Sequence, residues 1–287
     1  MNKYFTILFD LVKYKVTLAV AFTTIAGYLI YSGHFNVDAI VLGISIFFLA
    51  GGASALNECQ ESKYDILMER TKNRPIPAGL ITLPLATTIS ILFILLGLSL
   101  LYLCFNTTAA ILGLINLVWY NVIYTYLKRY SSFAVVPGSM VGAIPVVIGW
   151  TAAGGEWYVS SIIFIAFFLF IWQVPHFWLL MLKYSDEYEN AGFKTINKVV
   201  SPTGLKNIIY SWVIATSFSS IIVPLFLIHI SLYFFILVFI LNLIFIGVFT
   251  KLTFGDMIEL NFRKSFISIN IYMLSFLFLL ICFHVFS

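Results

Sequence analysis

The chain has 287 residues, of which 61% are apolar and only 10% charged, and it carries a formal net charge of +4. A mean hydropathy of +1.02 excludes an ordinary soluble domain, and an all-α, polytopic membrane protein is expected. The basic excess forms no basic face and no stacking platform, so no nucleic-acid partner is expected; Cys59, Cys104 and Cys282 are too scattered for a disulfide framework or a metal knuckle and read as buried thiols.

Apolar runs long enough to cross a bilayer fall at about 14–33, 37–56, 81–103, 108–126, 132–152, 157–180, 207–229, 231–250 and 266–286, which predicts nine transmembrane helices. The first run follows Lys3, Asp10, Lys13 and Lys15 and lacks a small-residue cleavage site, so it reads as a retained span. All 16 Lys and Arg lie in the N-terminal segment or in the segments after spans 2, 4, 6 and 8. The opposite connections carry only His34, Asp38 and Glu156, with His229 and His284 nearby. The positive-inside rule therefore predicts a cytoplasmic N-terminus, cytoplasmic charged loops and an outer C-terminus.

In span 1, Lys13 and Lys15 can reach the phosphate level, while threonines and glycines permit close helix contact. Span 2 ends in the small-residue run FFLAGGASALN and continues into the densest charged stretch, NECQESKYDILMERTKNRPIP, from Asn57 to Pro77. On a helix, Asn57, Glu61 and Asp65 at i, i+4 and i+8 share one face. Stacked carboxylates repel one another unless a cation or a ring of donors lies between them. Lys63 points off that face, and Arg70, Lys72 and Arg74 fall in the loop before span 3, where Pro75, Pro77 and Gly79 stop the helix and turn the chain. A solvated helix with balanced charge would also explain the spacing, but Asn57 directly abuts the apolar run, and polar groups at that depth usually serve a purpose.

Span 4 carries Asn116, Tyr120, Tyr124 and Lys128 at i+4 steps, a stripe from mid-membrane to the cytoplasmic boundary. Lys128 and Arg129 suit an anionic head group or, equally, an anchor at the interface. Gly138, Gly142, Pro145 and Gly149 predict a thin, bent span 5. In span 6, Gln173 and His176 are polar within hydrocarbon beside Trp172, Pro175 and Trp178, which favours a ligand-facing role over simple packing. Asp186, Glu187, Glu189 and Asn190 follow, then the turn glycine Gly192, a second polar cluster on the same side as the first. The repetition suggests one membrane domain over 1–287 with pseudo-repeated halves, roughly 1–150 and 151–287, whose clusters face a common cavity. Spans 7 and 8 read as lipid-facing or packing helices, and Asp256, Glu259, Arg263 and Lys264 as topology signals.

Carboxylates bind Mg²⁺, Mg²⁺ bridges to phosphate oxygens, and Arg and Lys neutralise the remaining charge. A diphosphate head group before a greasy cavity suggests an isoprenoid donor. Departure of the diphosphate would leave an allylic cation to be shielded from water and faced by aromatic rings.

The run Asn57-x3-Glu61-x3-Asp65, MERTKNRPIPAG (68–79), YTYLKR (124–129), PGSMVGAIPVVIGW (137–150), WQVPHF (172–177), DEYENAG (186–192) and FRKSFISINIY (262–272) together resemble the haem-modifying branch of the UbiA prenyltransferase superfamily over nearly the whole chain. The resemblance implies a nine-helix bundle around a central cavity open to the cytoplasmic side of a bacterial inner membrane. It implies Mg²⁺ as cofactor and transfer of the farnesyl group of farnesyl diphosphate to a vinyl group of haem B, giving haem O for terminal oxidase assembly. By motif position, Asn57, Glu61, Asp65, Asp186 and Glu187 would hold metal. Lys63, Arg70, Lys72, Arg74, Lys128 and Arg129 would hold the leaving group, and Tyr124, Gln173, His176 and Asn190 would border the substrates. The sequence departs from the family at Glu61, where aspartate is common, at Lys63, where an acidic residue is common, and at Tyr14 within Lys13-Tyr14-Lys15, where proline is usual. The lipid bilayer, the two substrates and a later haem-modifying enzyme or oxidase assembly complex are the implied partners. Two other functions compete: prenylation of an aromatic or quinone-precursor acceptor, against which WQVPHF argues, and a transporter or haem-handling protein without catalysis.

Overall fold

The computed structural model describes residues 3–227, 231–254 and 261–286. His229, Asp256 and Glu259 lie outside them. A short helix α1 (Lys3–Leu11) leads into α2 (Tyr14–Ser32), α3 (Val37–Asp65), α4 (Leu83–Cys104), α5 (Thr107–Tyr130), α6 (Val135–Ala152) and α7 (Ser160–Lys183). The six-residue α8 (Ser185–Asn190) precedes α9 (Pro202–Phe226), α10 (Leu232–Phe254) and α11 (Phe262–Val285). Among the described residues nine helices are long and apolar enough to cross a membrane, the number expected from the apolar runs, and no strand is present.

Local sequence sets the helix starts. Asn36 and Asn106 accept the amides of Ala39 and Ala109, and Ser201 accepts that of Gly204, so three helices begin on side-chain caps. With 29 residues α3 is the longest element, about 43 Å at ~1.5 Å per residue. The hydrocarbon layer is only ~30 Å thick. The last turns of α3 therefore continue past it, and that surplus carries Asn57 to Asp65. Thr71 closes the end by donating its hydroxyl to the Asp65 carbonyl at 2.9 Å.

Each span packs on the next in sequence, and α11 returns against α2 to close a ring; α2 also meets α6, and α7 meets α11. Small residues set the α2–α6 crossing. A Cβ on Gly27 would lie 2.0 Å from the Val146 carbonyl oxygen, and one on Gly149 would lie 1.8 Å from that of Thr24, so the two backbones touch through paired glycines. Trp172, Trp178, Phe168 and Phe276 fill the second half, and Leu42, Ile46, Leu49 and Ile148 the first.

Three features depart from the sequence expectation. Spans 7 and 8 are not purely apolar packing: Asn242 and Ser220 join Tyr272 of α11, whose hydroxyl shares its one proton between the Ser220 hydroxyl at 2.7 Å and the Asn242 Oδ1 at 2.9 Å. All three side chains are buried, so the network satisfies polar groups that hydrocarbon would leave unpaired. Cys104 is exposed, and Cys59 and Cys282 are only half-buried, so the cysteines are not core thiols. Within α5, Trp119–Tyr124 forms a π turn, a wide turn often found at functional sites. Four residues turn an α-helix about 40° past a full turn, so the i+4 stripe would drift; the wider turn keeps Tyr120 and Tyr124 stacked, with centroids 6.2 Å apart.

Candidate active site

The C-terminal end of α3 presents the expected face. Asn57, Glu61 and Asp65 are 3%, 4% and 1% exposed, so this is not a solvated charged surface. Each is met by a different basic residue. Lys13, at the α1–α2 corner, donates to Asn57 Oδ1 at 3.2 Å, and Asn57 Nδ2 donates to the Thr125 hydroxyl of α5 at 3.1 Å. Lys128 lies 2.5 Å from Glu61, and Arg74 of the following loop lies 2.7 Å from Asp65. Glu58, fully buried one residue past Asn57, accepts the Ile76 amide at 3.1 Å and ties that loop to α3.

Electrostatics follow from this packing. Burial and then the Arg74 guanidinium push the Lys13 ammonium down to about 7, against the pull of Glu58, Glu61 and Asp65. Burial also opposes the Arg74 charge, yet the neighbouring Asp65 carboxylate holds its pKa above the ordinary value. Lys13 adopts the left-handed conformation with φ 48°, the one non-glycine residue with positive φ among the described residues. Such strain clusters at functional sites.

The second polar cluster meets the first through the loops. Met68 packs with Ala191 and Phe193. The Arg70 amide donates to Glu187 Oε2 and its guanidinium to the Tyr188 hydroxyl, both at 2.8 Å, while the guanidinium also lies over the Tyr184 ring. Glu187 is thus drawn towards α3, whereas Asp186 and Asn190 are exposed. Lys63 is exposed on the flank of α3, and Lys72 pairs with Glu69 at the surface, 2.6 Å away. Lys128 and Arg129 part company. Lys128 enters the carboxylate face, while Arg129 donates to the Gln60 carbonyl at 3.2 Å and lies over the Tyr64 and Tyr126 rings.

An aromatic wall runs from this face into the bundle. The Lys128 ammonium lies 5.6 Å from the Tyr124 ring centroid, and Tyr124 stacks on Phe177 at 5.9 Å. Phe177 adjoins His176, which sits between Trp172 at 4.7 Å and Phe266 at 4.8 Å. Gln173 is 9% exposed against Gly142, where a Cβ would come within 2.5 Å of its Oε1. Asn116 lies further along α5 with Oδ1 buried and without a hydrogen-bond partner among the described residues.

The residues present suit a hard divalent cation. Asp65 Oδ1 and Glu58 Oε2 are buried without a hydrogen-bond partner among the described residues, and carboxylate and amide oxygens are the donors Mg²⁺ prefers. Among the described residues no three His, Cys, Asp or Glu side chains are grouped closely enough to hold a metal by themselves; Lys128 and Arg74 instead neutralise the carboxylates directly. Sequence reasoning overlooked Glu58, Thr125, Gln60 and Asn121. Thr125 and Asn121 carried a signal, because Asn121, Thr125 and Lys128 recur at i, i+4 and i+7.

The chain matches the UbiA prenyltransferase family over residues 20–283. It is 36% identical over 221 residues to the protoheme IX farnesyltransferase of Geobacter sulfurreducens, covering 76% of this chain and 81% of the relative. The solved structure of a digeranylgeranylglyceryl phosphate synthase superposes with a TM-score of 0.79 at 18% identity, over 99% of both chains. A UbiA homologue from Archaeoglobus fulgidus bound to GPP and Mg²⁺ superposes with a TM-score of 0.70 at 17% identity, over 96% of this chain and 99% of that one. Covered by the family over most of its length and sharing its fold from end to end, the chain belongs to the UbiA prenyltransferase family.

Proposed function

We propose that the protein transfers the farnesyl group of farnesyl diphosphate to a vinyl group of haem B, forming haem O and releasing diphosphate. The observation that carries the reading is the buried face of Asn57, Glu61 and Asp65, each met by a different polar group, at the C-terminal end of α3 in a chain 36% identical to a protoheme IX farnesyltransferase. The farnesyl C1–O bond breaks with its electrons leaving on diphosphate, C1 bonds to one vinyl carbon, and water adds at the other and loses a proton to complete the hydroxyethyl group.

Mg²⁺, held by Asn57, Glu61, Asp65 and, through the second motif, Glu187 and Asp186, would neutralise the leaving diphosphate and polarise its ester oxygen. Lys128 and Arg74, which neutralise Glu61 and Asp65 in this structure, are the chain's own cations for the diphosphate, with Lys13 and Arg70 at its margins. They stabilise charge that grows on the leaving group, and no nucleophilic side chain is required. Tyr124, Phe177 and the neighbouring rings keep water from the allylic cation and face it with π density. The wall reaches from Lys128 to His176, which puts acceptor-side residues next to the donor head group. The site belongs at the cytoplasmic face of the bacterial inner membrane, and a later haem-modifying enzyme or an oxidase assembly complex is the natural recipient of the product.

The purified protein, supplied with farnesyl diphosphate, Mg²⁺ and haem B, should yield a haem heavier by one farnesyl group and one hydroxyl group. A haem that remains unmodified under these conditions refutes the reading. Full activity in Asp65→Ala refutes the site.

A further inference from the structure

The seam between α3 and α5 is pinned by a pair of amides that the chemistry above does not use. Asn121, 2% exposed, donates Nδ2 to the Ala53 carbonyl at 3.0 Å and to Gln60 Oε1 at 3.2 Å. Gln60 answers by donating Nε2 to the Asn121 carbonyl at 3.1 Å. Arg129 adds a further tie to the Gln60 carbonyl, one residue after the Lys128 that meets Glu61: the guanidinium stays at the seam while the ammonium enters the site.

The contacts fall into one register. Ala53 meets Asn121, Asn57 meets Thr125 and Glu61 meets Lys128, so the two helices run alongside each other in the same direction at an almost constant offset in sequence. Sliding α5 by one helical turn would move it about 5.4 Å, enough to part both site contacts. Apolar packing specifies that register weakly, because lipid and protein interior are nearly equivalent surroundings for an aliphatic side chain. Directional hydrogen bonds specify it closely, and they hold best where water is excluded. The π turn contains Asn121, so the clamp grips α5 where its helix is irregular.

We propose that Gln60 and Asn121 are positioning residues of the prenyl-transfer site: their reciprocal amide pair sets the register of α5 on α3, so that Thr125 meets Asn57 and Lys128 meets Glu61. The proposal rests on the prenyl-transfer reading of that site. If it holds, Asn121 acts through Lys128, and the two residues are coupled in function although they do not touch the same partner.

The test is a double-mutant cycle with Asn121→Leu and Lys128→Ala, using purified full-length protein in detergent with Mg²⁺, farnesyl diphosphate and haem B, and with thermal melting to verify folding. Asn121→Leu should lower kcat/KM about tenfold alone and less than about twofold in the Lys128→Ala background, the signature of coupled residues. Equal factors in both backgrounds, or unchanged activity in Asn121→Leu, overturn the proposal. Gln60→Leu supplies the same cycle should Asn121→Leu fold poorly. If the parent modifies no haem, the proposed function fails separately, and the cycle is read instead from Mg²⁺-dependent farnesyl diphosphate affinity. A parent that binds no farnesyl diphosphate overturns both.

Discussion

The Arg74–Asp65 pair offers the sharpest test of the site's electrostatics. The two groups are 2.7 Å apart, with side chains 22% and 1% exposed. Removing one partner of a buried pair strands the other charge, at a cost of about 3–5 kcal/mol. The residual exposure of Arg74 lowers the expected penalty to about 2–3 kcal/mol, since solvent screens part of the charge. At ~2–4 °C per kcal/mol on the scale of soluble proteins, Asp65→Asn or Arg74→Gln should lower the melting temperature by roughly 4–12 °C. The double variant leaves neither charge stranded and should recover at least about half of the summed loss. Farnesyl transfer should nevertheless stay low in all three, because the double variant restores stability without restoring a carboxylate or a cation. Melting in detergent measures the first effect and haem product formation the second. Additive losses in the double variant would show that the pair is not coupled, and recovered activity would show that it lies outside the reaction.

Three further outcomes follow from the same geometry. Lys128→Ala should lower turnover about 100-fold, the usual effect of removing one donor from developing charge, whereas Arg129→Ala should cost stability and leave turnover within a few-fold, because Arg129 holds the Gln60 carbonyl and two tyrosine rings; a larger kinetic loss in Arg129→Ala would reverse the assignment. Chelation with EDTA should abolish product formation and added Mg²⁺ should restore it, and turnover that survives chelation would refute the metal reading. Gly149→Val should prevent accumulation of folded protein, because even the first added carbon would lie 1.8 Å from the Thr24 carbonyl oxygen; normal melting of that variant would mean that α2 and α6 separate without penalty.

Much of the architecture was legible because the bilayer simplifies the problem. A run of apolar residues long enough to cross it must become a helix, since no water inside can satisfy its backbone. The face of Asn57, Glu61 and Asp65 followed from helical periodicity alone, and the structure places all three on one buried face. Other features were not legible for definite reasons. Lys128 and Arg129 are adjacent in sequence and identical in charge, so only packing could separate the one that enters the site from the one that grips the seam. Lys63 and Lys72 resemble Arg74 in charge, yet Lys72 is satisfied by Glu69 2.6 Å away at the surface, and Lys63 projects from the opposite flank of α3. The polar network of Ser220, Asn242 and Tyr272 could not be read either, because its members come from three spans: Ser217 and Ser220 share a face of span 7, but their spacing does not say which helices that face meets.

The same contrast explains how a bundle held by weakly directional contacts can fix a reacting site. Hydrophobic matching determines that α3 and α5 cross the membrane, but lipid and protein interior are nearly equivalent to an aliphatic side chain, so it fixes their relative height poorly. The polar contacts carry that information: Asn57 with Thr125, Gln60 with Asn121, and Glu61 with Lys128. Under the proposed function, the first and last involve groups that would also serve the diphosphate and the metal, and so would exchange partners during turnover. The Gln60–Asn121 pair has no such second duty. It can remain closed while its neighbours open, which is why the register of the site is best assigned to the two uncharged residues in the row.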